Sequence, residues 1–234
     1  MKLPISDRLL ACARYVAPGD RVADVGCDHG YLSIYLLTQG IASACIASDI
    51  NEGPLQSAMR NARRFGVTEK IRFFLSDGVG SIPRDFDTLV CAGMGGDTMV
   101  HILESAPWLQ DARYRLVLQC QTKNHLLRRY LTENGWVIRD EIVLRDGKFL
   151  YTVMDVVFQP GLTATPGAWY FPPAIWAHHP TPEAAGYYHY IRKGLRVKVA
   201  GRGESAAPEL TQALRELEAL PHNPDLNWLK EENQ

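Results

Sequence analysis

Apolar positions along the first 158 residues switch repeatedly between helical and strand spacing. Between residues 5 and 17, Leu9, Leu10, Ala13 and Val16 recur at helical intervals, Pro18-Gly19 stops the run, and Ser6 or Asp7 stands where a cap is wanted. Short apolar strings predict strands at 21–25, 44–48, 71–75, 88–92 and 115–119, and amphipathic stretches predict helices at 31–39, 54–65, 97–103 and 124–134. Strands alternating with helices make a parallel sheet covered on both faces. Two last β-rich runs, 141–145 and 150–158, flank the turn Asp146-Gly147 and read as a hairpin, which adds an antiparallel strand at the end of the sheet.

The pattern changes near Gln159. Gln159-Pro160-Gly161 and Thr165-Pro166-Gly167 read as linker, followed by an aromatic segment with Trp169, Tyr170, Phe171 and Trp176. Beyond it, Tyr187, Ile191, Leu195 and Val199 recur every four residues, and Leu210, Ala213, Leu217 and Leu220 follow a mixed three-four spacing. These stretches, 183–200 and 208–220, predict an antiparallel helical hairpin with a coiled-coil seam, too small to fold alone. The expected division is therefore residues 1–158 and residues 159–234.

Composition narrows the function classes. The 234 residues carry 25 Lys plus Arg against 26 Asp plus Glu, a net charge of −1, which excludes a uniformly basic surface but not a local one. Residues 186–203 hold Arg192, Lys193, Arg196, Lys198 and Arg202 with no acid, and Arg60, Arg63, Arg64, Lys70 and Arg72 form a second basic cluster. Residues 204–234 hold seven acids and two bases. No apolar run approaches the ~18 residues of a membrane-spanning helix. Pro4 and Asp7-Arg8 occupy the place where a signal peptide has its apolar core. A cytoplasmic protein without membrane contact is expected. Cys12, Cys27, Cys45, Cys91 and Cys120 are odd in number, lack a C-x-x-C pair and read as small buried hydrophobes. His178-His179 and His189 do not make a metal pattern, so no metal is expected.

The first chemical signal lies between the first strand and the following helix: Asp24-Val25-Gly26-Cys27-Asp28-His29-Gly30-Tyr31. Glycines let such a turn approach a ligand closely. A dinucleotide would need a glycine where Asp28 stands, and a carboxylate there repels pyrophosphate. S-adenosyl-L-methionine has no phosphate and carries an ammonium group, so Asp24 and Asp28 favour it. Asp49-Ile50, ending the second strand, suits two ribose hydroxyls, and Asp77-Gly78, ending the third, suits an adenine amino group. Each acid alone reads as a loop cap. Together, at successive strand C-termini, they mark the place where open α/β sheets bind ligands.

The second signal is Ala92-Gly93-Met94-Gly95-Gly96-Asp97, after the fourth strand. Its backbone can reach a flat acceptor, and it offers no strong side-chain base. Asp97 reads equally as a helix cap. Ser6-Asp7-Arg8-Leu9, the Asp28-His29-Gly30-Tyr31-Leu32 turn, Ala92-Gly93-Met94-Gly95-Gly96, Leu118-Gln119 and Asn134-Gly135-Trp136 together resemble the bacterial tRNA (adenine(22)-N1)-methyltransferases over nearly all of residues 3–158. The chain departs from that family at Cys120-Gln121-Thr122, where a proline is usual. The resemblance implies an α/β fold, the Rossmann-like seven-stranded sheet of class I methyltransferases with the C-terminal helical hairpin as an appendage. It implies a monomeric enzyme that takes S-adenosyl-L-methionine as cofactor and tRNA as substrate. The implied cofactor residues are Asp24, Gly26, Asp28, His29, Gly30, Tyr31, Asp49, Ile50, Asp77, Gly78 and Ala92. The implied catalytic residues are Asp7, Gly93, Met94, Gly95 and Asp97. Arg8, Arg192, Lys193, Arg196 and Lys198 would contact RNA. His29 and Tyr31 read equally as packing residues. Two other readings of the residues stay open: a methyltransferase for a small molecule, and an RNA-binding module that keeps the cofactor fold without activity.

Overall fold

A computed structural model describes residues 3–203 and 206–220. The acidic end of the chain, 221–234, lies outside the described residues. Seven strands form one sheet in the order β3-β2-β1-β4-β5-β7-β6. They are β1 (Arg21–Val25), β2 (Ala44–Asp49), β3 (Ile71–Leu75), β4 (Thr88–Gly95), β5 (Arg115–Thr122), β6 (Trp136–Asp146) and β7 (Phe149–Phe158). The first five are parallel, and β7 pairs antiparallel with both β5 and β6. The predicted hairpin is thus present, with β6 starting five residues earlier than the run at 141 implied. That start follows Gly135, whose φ of +80° turns the chain out of the preceding helix.

Helices α1 (Asp7–Ala13), α2 (Tyr31–Thr38), α3 (Glu52–Arg64), α4 (Gly96–Glu104) and α5 (Asn124–Glu133) cover the two faces. Helix α3 buries Leu55, Ala58 and Ala62, positions three and four apart, and leaves its arginines outside. One core runs under α4 and α5 with Leu89, Met99, Leu116 and Leu127; the other runs under α1, α2 and α3 with Val22, Ile34, Ala58 and Val117. The strand order reverses between β1 and β4, so a crevice opens beyond their C-terminal ends.

Residues 159–220 are built differently from expectation in one respect. The end of the stretch read as linker and the aromatic segment after it form two short helices, α6 (Pro166–Tyr170) and α7 (Pro173–His178). Pro166 and Pro173 each stand in a first turn, where the missing N–H costs nothing. Helices α8 (Pro182–Arg202) and α9 (Pro208–Ala219) form the expected hairpin, with Thr181 accepting from the Ala184 N–H at 3.2 Å at the start of α8. The hairpin is not free-standing. Tyr187, Leu195, Leu210, Ala213 and Leu217 share a third core with Phe171, Ile175 and Val143 of β6. Beneath it, Arg128 and Glu141 form a fully buried pair at 2.7 Å, and the same guanidinium donates to the carbonyls of Trp169 and Tyr170, both at 2.9 Å.

Candidate active site

Beyond the C-terminal ends of β1 and β4 lies a cleft of 280 Å³. Asp24, Gly26, Asp28 and Tyr31 line it from the β1 side, Ala92, Gly93 and Met94 from the β4 side, and Arg8 from α1. The β1 turn is held by its own backbone. The N–H groups of Gly26 and Cys27 both donate to Ser48 O, at 2.8 and 2.9 Å, and Gly30 N–H donates to Cys27 O at 2.8 Å. Gly26, Asp28 and Gly30 all have positive φ, at +71°, +49° and +70°. A side chain at Gly26 would run into the Met94 methyl, so that glycine keeps the two lips of the cleft close together. A side chain at Gly30 would strike Ala58 of α3. Gly30 therefore serves packing; it starts α2 but is not part of the lining. Asp28 adopts its positive φ without a glycine's freedom, which concentrates strain at the cleft.

Asp24 is 3% exposed, yet among the described residues no cationic side chain pairs with it. Its carboxylate accepts from Ser33 Oγ at 2.8 Å. Burial raises its pKa to about 6, the Ser33 hydrogen bonds opposing that rise. Asp49 accepts the N–H groups of Asp28, at 3.2 Å, and Asn51, at 2.9 Å. An ionised carboxylate has four acceptor positions, so two N–H groups leave capacity for hydroxyls. Next to it Ile50 is 60% exposed, and Leu75 at the end of β3 is 56% exposed. Two bared apolar side chains beside a fixed carboxylate form a shelf outside the 280 Å³ cleft. Asp77 lies exposed beyond it. Gly78, with φ of +53°, is buried against Ile102, where a Cβ would come within 3.0 Å.

The β4 side is irregular. Pairing with β5 shifts register between Ala92 and Met94 and again before Gly95, and Gly93 has φ of +83°. This bulge aims the turn at the cleft. Gln119, completely buried on β5, pins it: its Oε1 accepts the Gly93 N–H and Arg8 Nη1, each at 3.0 Å. Arg8 Nε also lies 3.5 Å from Asp146 Oδ2. Arg8 thus lines the cleft from α1. Asp97 is exposed in the first turn of α4 and paired with Lys123 at 2.8 Å. That bond, with helix N–H groups behind it, holds its carboxyl below the usual range. The helix cap is Gly95, so Asp97 is neither the cap nor part of the lining. Asp7 is exposed at the start of α1 and also outside the lining. Cys27 lines the cleft, but burial and the nearby Asp24, Asp49 and Asp28 carboxylates push its thiol up, so it is not a nucleophile.

The basic positions of α8 divide. Lys193 and Lys198 are exposed, Arg196 is paired with Glu218 of α9 at 2.6 Å, and the Arg192 guanidinium lies over the Tyr188 ring at 5.2 Å. His179 Nε2 donates to the Asp140 carboxylate at 2.9 Å, in a local contact between the end of α7 and β6. No group of His, Cys, Asp and Glu among the described residues has the arrangement of a metal site. No described helix is long and apolar enough to cross a membrane.

Gln119, Leu9, Cys27 and Leu32 are site residues to which sequence reasoning gave no role. For Gln119 a signal existed, an amide directly after the apolar string Leu116-Val117-Leu118 and before Cys120.

A family model described as a methyltransferase domain matches residues 5–154. The tRNA (adenine(22)-N(1))-methyltransferase of Bacillus subtilis is 33% identical over 154 residues, 65% of each chain. The aligned segment therefore spans just under two thirds of that relative. The crystal structure of the Bacillus subtilis M1A22 tRNA methyltransferase TrmK superposes with a TM-score of 0.76 at 26% identity, covering 93% of this chain and 95% of that one. The Streptococcus pneumoniae protein Sp1610, a candidate tRNA (m1A22) methyltransferase crystallised with S-adenosyl-L-methionine, gives a TM-score of 0.79 at 29% identity, covering 91% and 99%.

Proposed function

The chain belongs to the methyltransferase-domain family, and from that premise we propose that it is an S-adenosyl-L-methionine-dependent enzyme that methylates N1 of an adenine in tRNA, adenine 22 as in the relatives. The observation that carries this reading is the buried, cation-free Asp24 facing a cleft that Arg8 also lines. A carboxylate and a guanidinium across one cleft match the ammonium and carboxylate of an amino-acid zwitterion. Asp49 would take the ribose hydroxyls, and Ile50 with Leu75 the face of the adenine ring. Bound there, the cofactor supplies an electrophilic methyl group on a sulfonium.

The protein's own share of the chemistry is positioning. N1 of neutral adenine has a free lone pair, so no side chain need remove a proton. The absence of a base at Gly93-Met94-Gly95-Gly96 agrees with this. The Gln119 anchor fixes the backbone of that turn, which is what in-line approach of a flat acceptor demands. Met94 packs against Gly26 and closes the wall between the cofactor side and the acceptor side. The acceptor's N1 lies on its pairing edge, so the adenine must leave any pair before it reaches the turn.

Residues 1–158 would bind the cofactor, and residues 159–234 would hold the tRNA through Lys193 and Lys198. A cytoplasmic enzyme fits five free thiols, all buried. The test is methyl transfer to unmodified tRNA followed by nucleoside mass spectrometry. N1-methyladenosine at one position is the expected product. Its absence from protein that binds the cofactor by calorimetry rejects the tRNA reading. Reversing Lys193 and Lys198 to glutamate separates the substrate classes, because a small-molecule enzyme would keep its full rate.

A further inference from the structure

The β6–β7 hairpin is longer than the sheet requires. Pairing of β5 with β7 ends at Cys120 and Thr152, whereas β6 and β7 stay paired for three further steps, to Asp146 opposite Phe149. At ~3.3 Å per residue the tip projects about 10 Å beyond the last β5–β7 pair. Strand β6 runs in the same direction as β5, so the tip rises at the end of the sheet that holds the cleft. It is tied to the cleft through Arg8, which reaches Asp146 on one side and Gln119, the anchor of Gly93, on the other.

The tip presents an unusual surface. Arg145, Gly147, Lys148 and Phe149 are exposed, and Phe149 is 55% exposed with Lys148 Nζ 5.3 Å from its ring centroid. Tyr151, two residues on and therefore on the same face, has its ring 6.3 Å away. The tip's carboxylate, Asp146, faces Arg8. Phe149 belongs to none of the three cores. What remains outward beside the aromatic ring is Lys148 in the turn, with Arg145 on the other face of the hairpin; a ring flanked by a cation is the composition that binds single-stranded nucleic acid by stacking and phosphate contact.

We propose that this tip is a stacking platform for the tRNA nucleotide next to the target adenine. Phe149 takes one face of that base, and Lys148, in the turn beside it, takes the neighbouring phosphate. The proposal rests on the tRNA reading above. An adenine moved out of its stack leaves its neighbour with one face bare, and Phe149 covers that face at the rim where the adenine enters. A protein partner is disfavoured by the charge, because the tip offers two cations and no unpaired acid.

The experiment compares wild type, Phe149→Ala and Phe149→Tyr on unmodified tRNA, with cofactor affinity and thermal stability measured alongside. Loss of stacking is expected to lower kcat/KM for tRNA roughly tenfold or more in the alanine variant. The tyrosine variant should work near the wild-type level, and cofactor affinity and Tm should not move. Full tRNA methylation by Phe149→Ala, with an active wild type, overturns the platform and leaves the tRNA reading standing. A wild type that forms no N1-methyladenosine overturns both.

Discussion

Two buried carboxylates divide the molecule. Glu141, 1% exposed on β6, is completed by Arg128, and that guanidinium spends its remaining donors on the carbonyls of Trp169 and Tyr170 and on the Tyr187 hydroxyl. Asp24, 3% exposed on β1, has a serine hydroxyl and backbone for company. Near β6 the charge is neutralised by the protein because its task is to dock residues 159–220 onto the sheet. Near β1 it is left uncompensated, which is tolerable where a cationic ligand completes it. An unpaired buried charge is costly, so its survival in the wall of a cleft is a statement about the ligand.

The most severe way to break the comparison is to make Glu141 resemble Asp24. Arg128→Ala leaves a buried carboxylate alone and frees two carbonyls, and should destabilise the protein by about 3–5 kcal/mol, as removing one member of a buried pair does. Denaturant unfolding measures this. The double variant Arg128→Met, Glu141→Leu should recover most of the loss, because no charge then remains. If the single variant unfolds like wild type, the pair is not what fastens the C-terminal segment.

The two regions were also unequally legible in the sequence. The cleft side announces itself locally: Asp24 stands two residues from Gly26 at the end of β1 and Asp77 next to Gly78 after β3, each beside a glycine of positive φ. The place of Arg8 in the cleft was not legible, because it depends on α1 meeting Gln119 and Asp146, 111 and 138 residues away in the chain. The length of the β6–β7 hairpin depends on pairing, not on composition. Helices α6 and α7 hid behind Pro166-Gly167 and Pro172-Pro173, which punctuate loops as well as start helices. The seam positions Leu195, Leu210 and Leu217 were readable from spacing alone, but their third partner, Val143 of β6, was not.

The next effect falls on Asp24. Its folded pKa, about 6, lies above the unfolded value of 3.8. Between those values the folded state holds the extra proton, so this group makes the free protein less stable as pH rises from about 4 to about 6. A cationic ligand needs the ionised form. Cofactor affinity should therefore climb between pH 5 and pH 7 with a midpoint near 6, read by calorimetry. Asp24→Asn should remove that slope, weaken the cofactor by roughly tenfold or more through the lost charge-assisted hydrogen bond, and raise the stability of the free protein at pH 7.5. Weaker binding without loss of the pH slope would assign the titration to another group.

A smaller perturbation asks whether the cleft or its charge matters more. Gly26→Ala forces a Cβ onto the Met94 methyl at a φ of +71°. The thioether end is flexible and can yield, so the expected cost is about 1–2 kcal/mol, mainly from the backbone. Cofactor affinity should fall while the pH midpoint stays near 6, because Asp24 is untouched. A shifted midpoint would mean that the turn, and not burial alone, sets the ionisation of Asp24.

The smallest effect lies at the opposite extreme of burial, on the surface of the C-terminal hairpin. Arg196 and Glu218 are paired across α8 and α9 with both side chains solvated. Such a pair contributes between about 0 and 1 kcal/mol to stability, so Glu218→Ala should leave the unfolding midpoint almost unchanged. Its consequence should appear in the substrate instead. Freed from the carboxylate, Arg196 joins Lys193 and Lys198 as an available cation, and each added phosphate contact steepens the dependence of log affinity on log salt by ~0.7–0.9. Tighter tRNA binding at low salt with a steeper slope, measured by titration, is the expected result. An unchanged slope would place the tRNA on another face of the hairpin and leave the β6–β7 tip as the contact that positions it.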